Sequence, residues 1–392
     1  MTAHASGYLQ ERPHPKIFGA ALVSLFIAIL SIALIGSMRK GTTVDDENRV
    51  PAALPGASST LRDWLAFPGR FERYFNDHFG SRSRLLALDH WAKAVVFGVS
   101  PVSTVLVGKQ GWLYFRGEDG KDFDRWYRGI GAFTDAEIAA LRDELLHRRR
   151  YLASLGIPYV VVVVPEKYSV YPEFLPDWAK RVTPVTALDR IADEMARRPE
   201  LHFIDLRSAL RTARQTTRVY YKSDSHWNFA GASVGYRLLM AELERVLPGL
   251  SAVPPRQAPY DPATDFYSGD LSRMIGASTY FREEDVAPLW KVLADTSPHC
   301  ARRSPAGETP GFEYYAYACP DPPRYRALVY RDSMAIPLIP LLSENFARTT
   351  YVSAHRMDPA VVEWMKPDVV VDELVERSLN SLLAFPLQTP GR

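Results

Sequence analysis

Residues Tyr159–Val164 read YVVVVV and run directly into Pro165. Six apolar, mostly β-branched residues without polar alternation describe a strand covered on both faces, as in a parallel sheet sandwiched by helices. Outward from this run the theme repeats. HFIDL (His202–Leu206), RVYYKSD (Arg218–Asp224), RALVYRD (Arg326–Asp332), TTYVSA (Thr349–Ala354) and PDVVVDE (Pro367–Glu373) all have strand character. Helical stretches lie between several of them, notably Ala187–Arg197 and Ala230–Val246. Asp135–Leu155 predicts another helix, with Thr134 as N-cap, Glu137 completing a capping box and Gly156 as the stop. Strands alternating with helices predict an α/β fold, a three-layer α/β/α sandwich with a mostly parallel sheet. In such folds ligand sites form beyond the carboxyl ends of the strands.

The chain has 392 residues, 47 Lys+Arg against 45 Asp+Glu, and a formal net charge of +2. That balance excludes a dedicated nucleic-acid binder, which carries a large basic excess. No Gly-rich phosphate loop and no HxxxH or HExxH spacing occurs, so neither a nucleotide site nor a metal site is expected.

Ile17–Met38 (IFGAALVSLFIAILSIALIGSM) contains no charged residue. At 1.5 Å per residue it reaches roughly 33 Å, enough to cross a hydrocarbon core. The expected layout is a cytoplasmic tail over 1–16, a transmembrane anchor over 17–38, a polar linker over 39–60, and an exported domain over 61–392. A cleaved signal peptide is the rival reading, but its apolar core would be shorter. Within the exported part, 61–97 predicts amphipathic helix, and VLVGKQGWLYF (Val105–Phe115) predicts strands around a turn at Lys109–Gly111. Cys300 and Cys319 are the only cysteines. In an oxidising compartment they would pair across a short loop or hairpin.

Two segments carry chemistry. YYKSDSHWNFAGA (Tyr220–Ala232) places Asp224 two residues before His226, where an extended backbone would aim both side chains the same way. A carboxylate beside an imidazole fixes its tautomer and stabilises the imidazolium. ALVYRDSM (Ala327–Met334) ends an apolar strand in Asp332-Ser333, where a serine can project at the strand's carboxyl end. Each also has a plainer reading: Asp224 as a turn residue, and Asp332 or Ser333 as a helix cap. Together, Asp224, His226 and Ser333 supply an orienting carboxylate, a base and a nucleophile. Lys167, Tyr168, Trp227 and Asn228 are candidate substrate contacts, with Glu166 and Tyr171 beside the same groove. Lys167 also reads as a surface lysine, and the basic run His147–Arg150 reads as solvated helix surface.

FNDHFGSR (Phe75–Arg82), VGKQGWLYF (Val107–Phe115), VVPEKYSVYPEFLP (Val163–Pro176), YYKSDSHWN (Tyr220–Asn228), GDLSRMIG (Gly269–Gly276) and RDSMAIPLIPLL (Arg331–Leu342) occur in that order. On these markers the chain resembles the alginate O-acetyltransferase family, AlgJ- and AlgX-like proteins with an SGNH-hydrolase-like domain. The resemblance implies that Asp224, His226 and Ser333 form a catalytic triad, with the serine last, an order permuted relative to ordinary SGNH hydrolases. It implies acetyl transfer through a serine acyl-enzyme to hydroxyls of an exported polysaccharide, without a cofactor. It further implies a membrane-bound O-acyltransferase (MBOAT-type) partner as acetyl source, other polymer biosynthesis and export subunits, and a bacterial inner-membrane location with a periplasmic catalytic domain. An esterase using the same triad, and a non-catalytic polysaccharide-binding subunit, are the alternatives.

Overall fold

A computed structural model describes residues 15–38, 52–56, 60–78, 82–254, 266–283, 286, 300–303, 314–319 and 324–389. Most of the expected tail and most of the expected linker lie outside these. The chain divides into two compact units, Met1–Ala92 and Lys93–Arg392.

The first unit holds α1 (Pro15–Met38), α2 (Leu61–His78) and α3 (Arg82–Trp91). Helix α1 coincides with the uncharged run, and its described side chains are those of 18–28 and 31. Among the described residues no helix is long and apolar enough to cross a membrane. Helix α2 buries no residue and carries a row of aromatics, Trp64, Phe67, Phe71 and Tyr74, in successive ring contact.

The second unit is built on a seven-stranded sheet. After the antiparallel hairpin β1 (Val105–Val107) and β2 (Leu113–Phe115) come α4 (Asp135–Ser154), β3 (Tyr159–Val164), α5 (Lys167–Val170), α6 (Ala187–Ala196), β4 (His202–Asp205), α7 (Arg207–Ala213), α8 (Phe229–Val246) and α9 (Asp270–Met274). Then follow β5 (Ala301–Arg303), β6 (Tyr314–Ala318), β7 (Arg326–Tyr330), a 3-10 segment Ser333–Leu338, α10 (Ile339–Ser343), β8 (Arg348–Val352), α11 (Pro359–Met365), β9 (Val369–Val375) and α12 (Asn380–Ala384). The sheet order is β4-β3-β9-β7-β8-β6-β5. The strands from β4 to β8 run parallel, while β6 and β5 pair antiparallel at one edge.

The all-buried pattern of Tyr159–Val164 has the expected cause: β3 pairs on both edges and packs against α4 and α8. Helix α4 starts as predicted, Thr134 and Glu137 exchanging side-chain bonds with each other's backbone N–H. The sandwich predicted from strand–helix alternation is therefore the fold observed. Cys300 and Cys319 are bonded to each other. They stand one step beyond the Ala301–Ala318 pair of the β5–β6 hairpin, so antiparallel register brings them opposite.

Two expectations fail here. Arg218–Asp224 is not a strand: it makes one isolated bridge, Tyr220 with Trp227, and otherwise bends. The basic run 147–150 is not uniformly solvated either. Arg148 is fully buried, donating to Glu144 Oε1 at 2.7 Å and to Asp372 Oδ2 at 2.8 Å. Asp372 also accepts from Tyr159 Oη at 2.9 Å. A carboxylate in a central strand needs such partners, because an unpaired buried charge is strongly destabilising.

Candidate active site

Asp224 and His226 meet through a turn, not an extended strand. His226 backbone N–H donates to Asp224 Oδ1 at 2.9 Å, an Asx-type turn, and His226 Nδ1 donates to the same oxygen at 2.6 Å. Asp224 Oδ2 accepts from Tyr267 Oη at 2.6 Å and from the Asp270 backbone N–H at 2.8 Å. Gly269 makes that approach possible. A Cβ there would stand 2.4 Å from the Asp224 Cβ.

Four bonds to a buried carboxylate favour its charged form. Burial alone would raise the Asp224 pKa, but the bond and charge of His226 and the bond from Tyr267 hold it well below the usual carboxylate range. At His226 burial opposes the imidazolium. The bond and charge of Asp224, with the charge of Asp270, overcome it and raise the pKa above 6.5. Asp270 Oδ2 lies 3.7 Å from His226 Nδ1. Its own pKa is raised by burial and by the Asp224 charge.

Asp224, His226 and Asp270 place donor atoms within 4.8 Å of one another, the spacing a metal ion requires. The oxygens and nitrogen concerned are already committed: His226 Nδ1 to Asp224, and Asp270 Oδ1 and Oδ2 to the Ser225 N–H at 2.7 Å and Ser225 Oγ at 2.5 Å. This internal pairing accounts for the cluster as a hydrogen-bonded network.

The loop carrying the pair is fastened from beneath. Lys167 Nζ donates to the carbonyls of Tyr221 (3.0 Å), Lys222 (3.0 Å) and Asp224 (2.5 Å). Burial lowers its pKa to about 8 despite the carboxylates of Glu283 and Asp224. Glu283 clamps the same loop, accepting from the N–H groups of Lys222 (2.9 Å) and Ser223 (2.8 Å) and from Ser223 Oγ (2.6 Å). Tyr220 Oη donates to the carbonyl of Pro165 at 2.5 Å, which seats the loop over the carboxyl end of β3.

Ser333 is half-buried at the carboxyl end of β7, the first residue of its 3-10 segment. Asp332 is the cap, as the plainer reading of this segment has it. Its Oδ1 accepts from Met334 N–H at 2.8 Å and its Oδ2 from Val375 N–H at 2.7 Å. His355 stands behind, Nε2 at 3.6 Å from Asp332 Oδ2 and Nδ1 at 3.7 Å from Asp372 Oδ1. Trp227 ties the two segments together, its indole N–H donating to the Met334 carbonyl at 2.8 Å.

The four candidate substrate contacts fall elsewhere. Lys167, Tyr168, Trp227 and Asn228 are all at most 3% exposed. Lys167 is not a surface residue; its ammonium is spent on the three carbonyls. Tyr168 packs edge-on against Phe123 at 5.2 Å. Trp227 is held by its bond to Met334. Asn228 caps α8, accepting from Gly231 N–H at 3.1 Å and donating to the Arg218 carbonyl at 2.7 Å. In this structure all four are buried within the protein. Sequence reasoning overlooked Tyr267, Asp270, Glu283 and His355. Asp270 alone had a signal, because it lies within the marker Gly269–Gly276.

A family model described as "SGNH hydrolase-like domain, acetyltransferase AlgX" matches residues 105–302, about half of the chain. The matched range includes Asp224 and His226 and ends before Ser333. Two curated relatives are each named probable alginate O-acetylase AlgJ. The one from Pseudomonas syringae pv. tomato is 27% identical over 179 residues, covering 45% of this chain and 42% of the relative. The one from Pseudomonas aeruginosa is 25% identical over 217 residues, covering 53% and 49%. The chain thus matches less than half the length of either relative. Among solved structures, Bacillus cereus PatB1 aligns with a TM-score of 0.46 at 14% identity, covering 70% of this chain and 96% of that one. The O-acetyltransferase domain of Pseudomonas putida AlgJ aligns with a TM-score of 0.41 at 19% identity, covering 70% and 91%. The half-chain family match, over a fold of the expected kind, places this chain in the SGNH hydrolase-like acetyltransferase family of AlgX.

Proposed function

We propose that the protein is a polysaccharide O-acetyltransferase working through an acetyl-serine intermediate at Ser333. The observation that carries this reading is the Asp224–His226 pair, tied by Trp227 to the residue following Ser333. Asp224 holds His226 with Nδ1 protonated, which leaves Nε2 to act as base. His226 takes the Ser333 proton as Oγ attacks the acetyl carbonyl of the donor. The tetrahedral adduct collapses, the donor's leaving group departs with the proton from His226, and acetyl-Ser333 remains. A sugar hydroxyl then attacks the ester, giving its proton to His226. Collapse expels Ser333 Oγ, which recovers that proton, and the acetylated sugar leaves. No cofactor enters the sequence.

The polymer is alginate or a similar exopolysaccharide, by analogy with the names of the curated relatives. The length of the uncharged run at 17–38 is the support for a single membrane anchor; an inner-membrane position with a cytoplasmic N-terminus and a periplasmic catalytic unit is part of the same proposal. An MBOAT-type partner would deliver acetyl to such a unit, alongside other polymer biosynthesis and export subunits.

Intact-mass spectrometry after exposure to p-nitrophenyl acetate tests the intermediate. Wild type gains one acetyl mass on Ser333, and Ser333→Ala gains none there. Acetylation of Ser333→Ala at another active-site residue overturns the assignment. Mass spectrometry of a polymer incubated with donor and enzyme separates transferase from esterase, because only a transferase adds acetyl to the polymer.

A further inference from the structure

The hydroxyl of buried Ser225 stands between two groups of the site. Its Oγ lies 2.5 Å from Asp270 Oδ2 and 3.2 Å from His226 Nδ1. A serine hydroxyl carries one proton, and a carboxylate only accepts. At the shorter, charge-assisted distance the proton belongs to the Asp270 bond. What Ser225 turns to the imidazole is therefore an oxygen lone pair. That lone pair is satisfied only where Nδ1 carries its hydrogen, the same tautomer that Asp224 Oδ1 selects from 2.6 Å. The Nδ1–H group thus has a strong acceptor in Asp224 and a weaker one in Ser225.

Asp270 is held firmly enough to aim that hydroxyl. Its Oδ1 accepts from the N–H groups of Ser225 and Leu271, each at 2.7 Å, and its own N–H donates to Asp224 Oδ2 at 2.8 Å. The segment around it docks on the same loop: Gly269 N–H donates to Ser223 Oγ at 3.0 Å and Ser272 N–H to the Ser223 carbonyl at 3.1 Å. Asp270 Oδ2 is 3.7 Å from His226 Nδ1, too far for a hydrogen bond and close enough for its charge to act. Burial and the Asp224 charge raise the Asp270 pKa, while the His226 charge and the Ser225 bonds favour its carboxylate. The other groups around the imidazole have separate duties. The Arg377 charge, just after β9, opposes the imidazolium. Tyr267 and Lys167 bond the Asp224 carboxylate and carbonyl, and Glu283 holds loop N–H groups.

From these distances we infer that Ser225 and Asp270 form a second positioning arm on His226, in which Asp270 fixes the Ser225 hydroxyl, the Ser225 oxygen helps hold Nδ1–H, and the Asp270 charge favours the imidazolium formed when Nε2 takes a proton. The inference rests on the reading of His226 as the base that serves Ser333, and it adds two residues to that machinery. Both are positioning residues: they act through His226 and not on the reacting atoms. The arm transfers no proton, since the Ser225 hydrogen stays on its oxygen throughout.

Histidine-selective 15N NMR of the full-length protein in detergent micelles tests this, with His226 assigned by its loss in His226→Gln and with p-nitrophenyl acetate turnover followed against pH. In Asp270→Asn the His226 titration midpoint falls by about one pH unit, and the acid limb of kcat/KM moves with it. Ser225→Ala lowers kcat about tenfold with little change in KM, the effect of one lost hydrogen bond. Ser225→Thr, which keeps a hydroxyl, recovers most of that rate. The Ser225→Ala/Asp270→Asn double variant is no slower than the slower single variant, as groups acting in one chain require. Thermal melts confirm folding, and if Asp270→Asn does not fold, the Ser225→Ala and Ser225→Thr pair decides alone. The titration is repeated in a Ser333→Ala background. A midpoint that still falls there upholds the arm even where Ser333→Ala keeps its turnover and the acyl-enzyme assignment fails. An unmoved midpoint in folded Asp270→Asn, full kcat in Ser225→Ala, or additive losses in the double variant overturns the arm.

Discussion

Trp227 donates its indole N–H to the carbonyl of Met334 at 2.8 Å, joining the residue after His226 to the residue after Ser333. Both partners are buried, and Gly235 leaves room for the ring: a Cβ there would stand 2.6 Å from it. One bond therefore sets the separation of two loops that lie more than a hundred residues apart in sequence. Replacing it with phenylalanine keeps an aromatic ring and removes only the donor and some volume. Trp227→Phe is expected to lower stability by about 2 kcal/mol, the cost of an unpartnered buried carbonyl plus a small void. It should lower kcat far more than it raises KM. Chemical denaturation and initial-rate kinetics read the two effects, and an unchanged kcat would mean the tie is dispensable to the chemistry.

His226 must be neutral at Nε2 to accept the serine proton, and its pKa is held above 6.5 mainly by Asp224. The acid limb of the kcat/KM profile therefore lies above the ordinary histidine value. In Asp224→Asn the carboxylate charge is gone, so the limb moves to lower pH. The rate at the plateau falls about a thousandfold or more, because the amide no longer fixes the tautomer. A pH–rate profile of both proteins decides it. A limb that stays in place would show that Asp270, not Asp224, governs the imidazole.

Lys167→Met takes the ammonium donor from the buried carbonyls of Tyr221 and Asp224, while the Lys222 carbonyl keeps its bond from the Leu113 N–H at 2.9 Å. With about 1–3 kcal/mol for each buried group left short of a partner, the loss is expected to be about 2 kcal/mol or more. Lys167→Arg should rescue little, since a planar fork cannot replace a compact three-way donor. Urea unfolding midpoints provide the measurement. Near-wild-type stability of both variants would remove the lysine from its proposed role as fastener.

The His355 pKa is raised to about 9: burial opposes the charged ring, but Asp332 and Asp372 outweigh it. A histidine whose folded pKa exceeds its unfolded value of about 6.5 contributes stability fully below that value. The contribution is lost as pH rises from about 6.5 through about 9. Wild type should accordingly lose melting temperature across that window, and His355→Gln, less stable at pH 6, should show a flatter decline. Parallel slopes in thermal melts from pH 6 to 10 would remove His355 from the pH response.

What the sequence made legible follows from locality. The run Tyr159–Val164 announced a doubly covered strand because burial on both faces leaves no polar alternation. Thr134 and Glu137 announced a helix start because a capping box spans three residues. The Asp224–His226 contact was likewise readable, since an aspartate and a histidine two apart meet in an Asx turn as readily as in a strand. The backbone beneath them was not. Arg218–Asp224 has strand-forming residues but no place in the sheet, and its bonds go to Lys167 and Glu283 instead.

The tertiary structure alone decided which polar residues face solvent and which serve the interior. Lys167, Trp227 and Asn228 look like groove residues in a string of letters, because lysine, tryptophan and asparagine are common in binding sites. Here an ammonium satisfies three carbonyls, an indole bridges two loops, and an amide caps a helix. Arg148, in an apparently solvated basic run, balances Asp372 in the middle of the sheet. All of these pairings except the local Asn228 cap join residues far apart in the chain. Sequence therefore determines the strand and helix periods and the chemical types available to the site. Only the folded chain determines where a buried donor finds its acceptor, because burial penalises every polar group that lacks one, and the partner is chosen by proximity in space.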